Sequence, residues 1–381
     1  MNKQIVVLSA LLGVSLIGSY LSWTSEDGTD ADDTIIILDG TSEGIASITY
    51  TAEKLTVEMD ARTDERGAWV WVTTTEQKRK PKPPKSHDDD HADHPELPPV
   101  EPPLEGAPDV SPVEGEETPE EDLVEAVPEE PEYEDFTKTF KAGSSGDDLL
   151  ADLAPFIAKR ALGVVGEDRF ADYGLDDPAA SLVIARSGKD AKTYQVGGEA
   201  YGTRDLYLLD EGSGEVYLVD KNLTKPLKHA PNRMPDRELL GVEMGDVLAL
   251  RVESDQGARE LEHRNRADPK ASFFAAPGVE EKDDTFEAWL DKALSLKSDG
   301  YVQEDEVPTD LVTAFTLQMA TGDGNTILVV STGTYGEGET GWYASSEHTR
   351  GNLVKLHTSQ ASEASADLDA VFDEVELPEE E

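Results

Sequence analysis

The sequence predicts an α+β protein: a tandem duplication of an antiparallel β-meander unit with one packed helix per copy, preceded by a single transmembrane helix. Three observations predict it. Runs of alternating apolar and polar residues, separated by turn residues, occur twice in the same order. An apolar stripe of helical period follows the opening runs each time, and an uncharged apolar stretch stands at the start of the chain.

That first stretch, Gln4 to Trp23, is about twenty residues without a charge, long enough to span a hydrocarbon layer of roughly 30 Å. Tyr20 and Trp23 stand at its outer end, where amphipathic rings favour headgroup depth. Lys3 precedes it, and Glu26, Asp27, Asp30, Asp32 and Asp33 follow, so the positive-inside bias places the body outside the cytoplasm. Residues 1–24 are therefore an inner-membrane anchor or, alternatively, a cleaved signal segment; Ile17-Gly18-Ser19 is a poor cleavage site. In either case the body is periplasmic or extracytoplasmic. The acidic run from Asp27 to Asp33 lacks the ligand order of a calcium loop and reads as a juxtamembrane tether.

The duplication is read from paired segments. Ile45–Tyr50 alternates like Val247–Val252, and each run continues through a polar turn into a second: Leu55, Val57 and Met59 in one copy, Leu261 and His263 in the other. Trp69–Val72 then matches Phe273–Ala276. In the second copy Phe286, Trp289, Leu290, Ala293 and Leu294 form a helical stripe, with Asp284 and Glu287 spaced like a capping box. In the first, Leu149, Leu150, Leu153, Phe156, Ile157 and Ala161 form the stripe, with Pro155 inside it as a kink or a late start. Four further strands follow per copy: Leu182–Ala185, Thr193–Val196, Leu206–Leu209 and Val216–Val219 against Ala314–Gln318, Thr326–Val330, Trp342–Ala344 and Leu353–Leu356. Leu368, Val371, Phe372 and Val375 give a C-terminal amphipathic helix. The units are 34–76 plus 138–238, and 239–377.

Between the two parts of the first unit lies a segment of different character, residues 77–137. Of the 22 prolines in the chain, 13 fall between Pro81 and Pro131, among Asp, Glu and small residues. So little apolar surface cannot offset the entropy of ordering the chain, which predicts a disordered, extended insertion. The second copy makes the same connection in a handful of residues, so the insertion should loop out of the first unit. Closing a loop about sixty residues longer costs only about 2 kcal/mol more.

Composition removes several function classes. The 381 residues carry 33 Lys+Arg against 81 Asp+Glu, a net charge of −48, and no cysteine. Such a chain has no basic face for nucleic acid, and thiol catalysis, disulfides and iron–sulfur ligation are excluded. Its acidic surface stays soluble where salt screens repulsion. Gly336–Gly341 spells G-x-G-x-x-G, but the residues after it read as a strand and Glu337 and Glu339 would repel phosphate; it is a hairpin turn with no nucleotide. His87, His91 and His94, with aspartates between, are spaced to chelate a transition metal, against the plainer reading of a solvated polar stretch. His229, His263, His348 and His357 read as surface or packing residues, and no nucleophile motif is legible. No cofactor is expected. Among 81 carboxylates no pair stands out for acid–base work, so an unrecognised hydrolase has nothing specific behind it. Between the copies, Arg233, Asp236 and Arg237 are interface candidates: the arginines could pair with carboxylates and fix the angle between repeats, or form an exposed basic turn.

Tyr173–Pro178, Tyr194–Gly198, Leu206–Leu208, Val216–Val219 and Asp236–Leu240 together resemble a bacterial domain-of-unknown-function family found beside gliding-motility-type ABC transporters. The resemblance covers roughly residues 145 to 300. It departs from the family pattern at Phe273, where a tryptophan is expected, and in the acidic insertion. It implies an anchored, extracytoplasmic, β-rich accessory protein contacting an ABC transporter, with no catalytic residues to carry over. The expectation is thus a non-enzymatic accessory or scaffold protein of a transport or motility complex. The alternative is an envelope metal-binding protein acting through the His/Asp-rich segment.

Overall fold

A computed structural model describes residues 34–80, 132–336 and 338–372. The chain divides into two units, one of residues 1–76 with 136–381 and one of residues 77–135. The apolar stretch 4–23 and the histidines 87, 91 and 94 lie outside the described residues. Among those described, no helix is long and apolar enough to cross a membrane.

The first half opens with β1 (Ile35–Leu38), β2 (Ile45–Ala52), β3 (Leu55–Asp64) and β4 (Gly67–Arg79). It continues through β5 (Tyr133–Lys141), helix α1 (Ser144–Asp152), β6 (Phe156–Ala158), β7 (Arg160–Val164) and α2 (Phe170–Tyr173). Then come β8 (Ala180–Arg186), β9 (Lys189–Glu199), β10 (Leu206–Asp210), β11 (Glu215–Val219) and the short helices α3 (Lys225–Lys228) and α4 (Ala230–Arg233). The second half runs β12 (Val247–Ser254), β13 (Gly257–Arg264), β14 (Phe273–Ala275), α5 (Asp284–Ser295) and β15 (Ser298–Tyr301). It ends with β16 (Thr309–Thr321), β17 (Asn325–Tyr335), β18 (Glu339–Ser346), β19 (Val354–Leu356), α6 (Thr358–Ala366) and α7 (Leu368–Phe372).

The protein is mostly β, with antiparallel sheets and a few helices. One sheet has nine strands in the order β5-β4-β3-β2-β8-β9-β10-β11-β7; the other has eight in the order β14-β13-β12-β16-β17-β18-β19-β15. With β5 set aside, the two orders correspond strand for strand. β1 and β6 form a separate antiparallel ribbon. Register in both sheets follows from one-sided burial. Ile48 faces Met59 and Ile184, and Tyr50 faces Val57 and Leu182, all fully or almost fully buried. In the second sheet Leu250 faces Leu261 and Met319 in the same way. A slip of one residue would turn each of these rows to solvent, at roughly 1.5–3 kcal/mol per side chain. A continuous apolar cluster, from Ile37 to Val371, includes residues of both sheets.

Several expectations are corrected. The first-copy stripe is not one helix: α1 ends at Asp152, and Phe156, Ile157 and Ala161 lie on β6 and β7. Pro155 has no N–H to donate and its ring crowds the preceding turn, so the helix stops before it. The second-copy helix is capped one residue earlier than its spacing suggested. Asp283 accepts from the Phe286 amide (2.8 Å), while Glu287 accepts from the Phe274 amide (3.2 Å) and ties the helix to β14. The ends of the expected disordered segment are strand: β4 runs to Arg79, and β5 begins at Tyr133. Within the smaller unit the Lys80 amide donates to the Glu132 carbonyl (2.9 Å). The C-terminal helix is two, α6 and α7, and Val375 lies beyond the described residues.

Candidate functional site

The first half and the second meet around the segment that joins them. Residues 234–236 lie alongside the end of β5: the Gly143 amide donates to the Met234 carbonyl and the Asp236 amide to the Lys141 carbonyl, each at 2.9 Å. This pairing sets the side chains of Lys141 and Asp236 next to each other. The third member comes from the turn after β18. There the Ser346 amide donates to Thr349 Oγ1 (3.0 Å), and Ser346 Oγ donates to the Leu239 carbonyl (2.5 Å). The turn is thereby fastened to the joining segment and directs His348 onto Asp236.

The geometry is compact. Asp236 Oδ2 lies 2.5 Å from Lys141 Nζ and 2.8 Å from His348 Nε2, and Oδ1 accepts from the Glu238 amide at 3.0 Å. Lys141 and Asp236 are 7% and 8% exposed, values usual for apolar side chains and rare for charged ones unless paired. A carboxylate only accepts, so His348 Nε2 donates; its 3.2 Å approach to Lys141 Nζ brings two donors to one oxygen. The cluster cross-links three stretches of chain.

Lesser ties surround it. Arg350 Nη1 reaches both carboxylate oxygens of Asp64 (2.8 and 2.9 Å), and its guanidinium lies 5.7 Å from the Trp69 ring centre. Gln303 Oε1 accepts from the Thr139 amide (2.7 Å) and hydroxyl (3.0 Å). Trp71 of β4 meets Tyr301 of β15 edge to face at 6.1 Å. Burial first, then the charge of Asp236, pushes the Tyr301 phenol up.

Above the cluster opens a cleft of about 1290 Å³. Arg66, Arg233, Arg237 and Arg266 line it together with a larger number of carboxylates, among them Glu65, Asp147, Glu243 and Asp246, so its wall is of mixed charge with a small acidic excess. Of the three interface candidates, Asp236 is at the centre of the cross-link. Arg233 and Arg237 are exposed on the cleft wall, and no ion pair joins either to a described residue. Their backbones contribute instead: the Arg237 carbonyl accepts from the Ser298 amide (2.9 Å) and that of Arg233 from Ser145 Oγ (3.4 Å). Sequence reasoning missed Lys141 and His348. A lysine between the buried Phe140 and Ala142 was the one local sign of the first. Elsewhere, His263 stacks on Phe274 at 4.4 Å, and its Nδ1 lies 2.8 Å from the Val247 carbonyl oxygen. His229 is exposed, and His357 lies 3.6 Å from Asp299. Among the described residues no group of three or more His, Cys, Asp or Glu side chains is placed to hold a metal.

Burial raises the Asp236 carboxyl, but hydrogen bonds from His348, Lys141 and the Glu238 amide lower it by more, to about 2 from an ordinary 3.8. A folded value below the unfolded one means that the carboxylate's stabilisation is complete above the unfolded value and disappears as pH falls through the folded one. The gap between 3.8 and about 2 corresponds to about 2 kcal/mol. Asp147 acts in the opposite sense: burial raises its carboxyl, against the pull of Lys141 and with the push of Asp148 and Asp236, so protonating it favours the fold. The expected result is a carboxyl carbon-13 resonance of Asp236 that titrates near 2; a midpoint at the ordinary aspartate value would contradict the geometry.

Residues 147–314 match the model of a family described as a domain of unknown function, DUF4340. The matched stretch contains Asp236, while Lys141 and His348 lie on either side of it. Neither a curated protein nor a solved structure matches the chain.

Proposed function

We propose that this protein is a non-enzymatic, membrane-anchored accessory or scaffold protein whose body stands outside the cytoplasm and serves an ABC-transporter or motility complex. The observation that carries this reading is the Lys141–Asp236–His348 cross-link. These three ionisable groups at the junction are directed at one another and hold two sheets together, as a rigid adaptor needs. The uncharged stretch 4–23 supplies the anchor, and the family resemblance supplies the transporter context. The matching strand orders support descent of the two halves from one duplicated unit. Affinity purification of the full chain from membranes in mild detergent tests the role. Transporter or envelope subunits are expected to co-purify in fixed ratio; a protein recovered alone would count decisively against it.

A further inference from the structure

The two sheets treat one equivalent corner differently. In the first, the connection from β7 to β8 (residues 165–179) folds back over the sheet, and its Phe170, Tyr173 and Leu175 pack on Leu162, Tyr207, Leu209 and Val216. The Tyr173 ring stands edge-on to Tyr207 at 4.9 Å. Gly197 allows the close approach, since a Cβ there would lie 2.4 Å from the Tyr173 carbonyl oxygen. In the second sheet the connection from β15 to β16 is only residues 302–308. Gly333 again sits beneath it, a Cβ there falling 3.0 Å from both Pro308 and Leu311. No aromatic cover follows. Val307, Leu311 and Tyr335 are left 57%, 46% and 37% exposed.

Leu311 and Tyr335 share the face of the sheet that carries Gly333, and Val307 precedes Pro308, which lies against the same glycine; Val312, paired with Thr332, points to the opposite face. Lys355 Nζ lies 5.0 Å from the Tyr335 ring centre and 3.0 Å from Glu306, which precedes Val307. Exposed Glu304, Asp305, Asp310 and Glu339 surround this patch. An apolar centre with an acidic rim is an interaction surface with a defined complement. A second copy of this chain would bring acid against acid, and an anionic lipid surface would be repelled by the same rim.

We propose that this corner docks a segment of a partner protein bearing aromatic or branched apolar anchors flanked by lysine and arginine. The anchors cover Val307, Leu311 and Tyr335 as Phe170, Tyr173 and Leu175 cover the first sheet from within the chain. The inference names the chemistry of one partner for the accessory role above and rests on that reading. It is tested with purified components, so it can fail while membrane co-purification succeeds, and the reverse.

The probe is a labelled synthetic peptide of Phe, Leu and Lys, measured by fluorescence anisotropy against the full chain in mild detergent, beside a Ser/Lys peptide of equal charge. The Phe/Leu/Lys peptide is expected to bind at least about tenfold more tightly. Changing Leu311→Asp should remove that advantage. Val307→Ser with Leu311→Ser, both at exposed positions, provides a variant whose fold is checked by circular dichroism and melting. Equal affinity for the two peptides, or a preference untouched by both variants, overturns the proposal. So does sedimentation showing that the patch pairs two copies, or binding of the chain to lipid vesicles that the variants abolish.

Discussion

Replacing Asp236 with asparagine is expected to destabilise the protein by about 3–5 kcal/mol, the usual consequence of removing one partner from a buried charge pair. The change keeps size and shape, so the loss is electrostatic. The Lys141 ammonium, 7% exposed, would face a neutral amide instead of a carboxylate, and His348 would lose its charged acceptor. Asp64→Asn provides the contrast. Its partner Arg350 is held at 2.8 Å, but the Asp64 side chain is 42% exposed, and screened pairs of this kind contribute no more than about 1 kcal/mol. Urea denaturation of the two variants measures the difference. Replacing the cluster wholesale, as Lys141→Met with Asp236→Leu and His348→Phe, should recover much of the loss, because no charge remains to be desolvated. An Asp236→Asn protein as stable as the Asp64→Asn protein would mean that the cluster does not hold the halves together.

What could be read from the sequence follows from what each residue faces. Ile45–Tyr50 and Val247–Val252 announce themselves because one face of each strand is buried and the other is half wet, so polarity alternates. β5 was invisible for the converse reason. Tyr133 to Lys138 is exposed throughout, an edge strand whose composition is that of the acidic segment before it. The stripe from Leu149 to Ala161 has helical spacing by coincidence: Leu153 and Phe156 are both buried, the first beyond the end of a helix and the second on a strand. At the junction, Asp236 was within reach because a local Asp-Arg-Glu cluster marks the boundary between copies. Its partners lie 95 and 112 residues away, and no periodicity couples positions so distant. The arginines beside it drew attention by charge, yet a guanidinium is easily left in water, whereas a buried lysine requires a counter-ion.

Trp289→Ala is expected to cost about 3–5 kcal/mol, the range for deleting a fully buried large aromatic. Trp289 is 1% exposed, stands edge-on to Phe315 of β16 at 5.5 Å, and touches Phe286 at 5.6 Å. Its indole N–H donates to the Ala364 carbonyl of α6 at 2.9 Å. One side chain therefore packs α5 on the second sheet and ties α6 to α5. The ion pairs of Lys292 with Glu363 and Asp367 bridge the same helices, but all three side chains are more than a third exposed and cannot compensate. Besides the lost area, the carbonyl of Ala364, itself fully buried, would be left without the indole donor. The loss should be uneven. Amide hydrogen exchange is expected to rise first in α6 and α7, while the rows around Ile48 and Tyr50 in the first sheet keep the protection of global unfolding. A uniform rise across both sheets would instead show that the halves unfold as one cooperative body, with the Lys141–Asp236–His348 cross-link transmitting the damage.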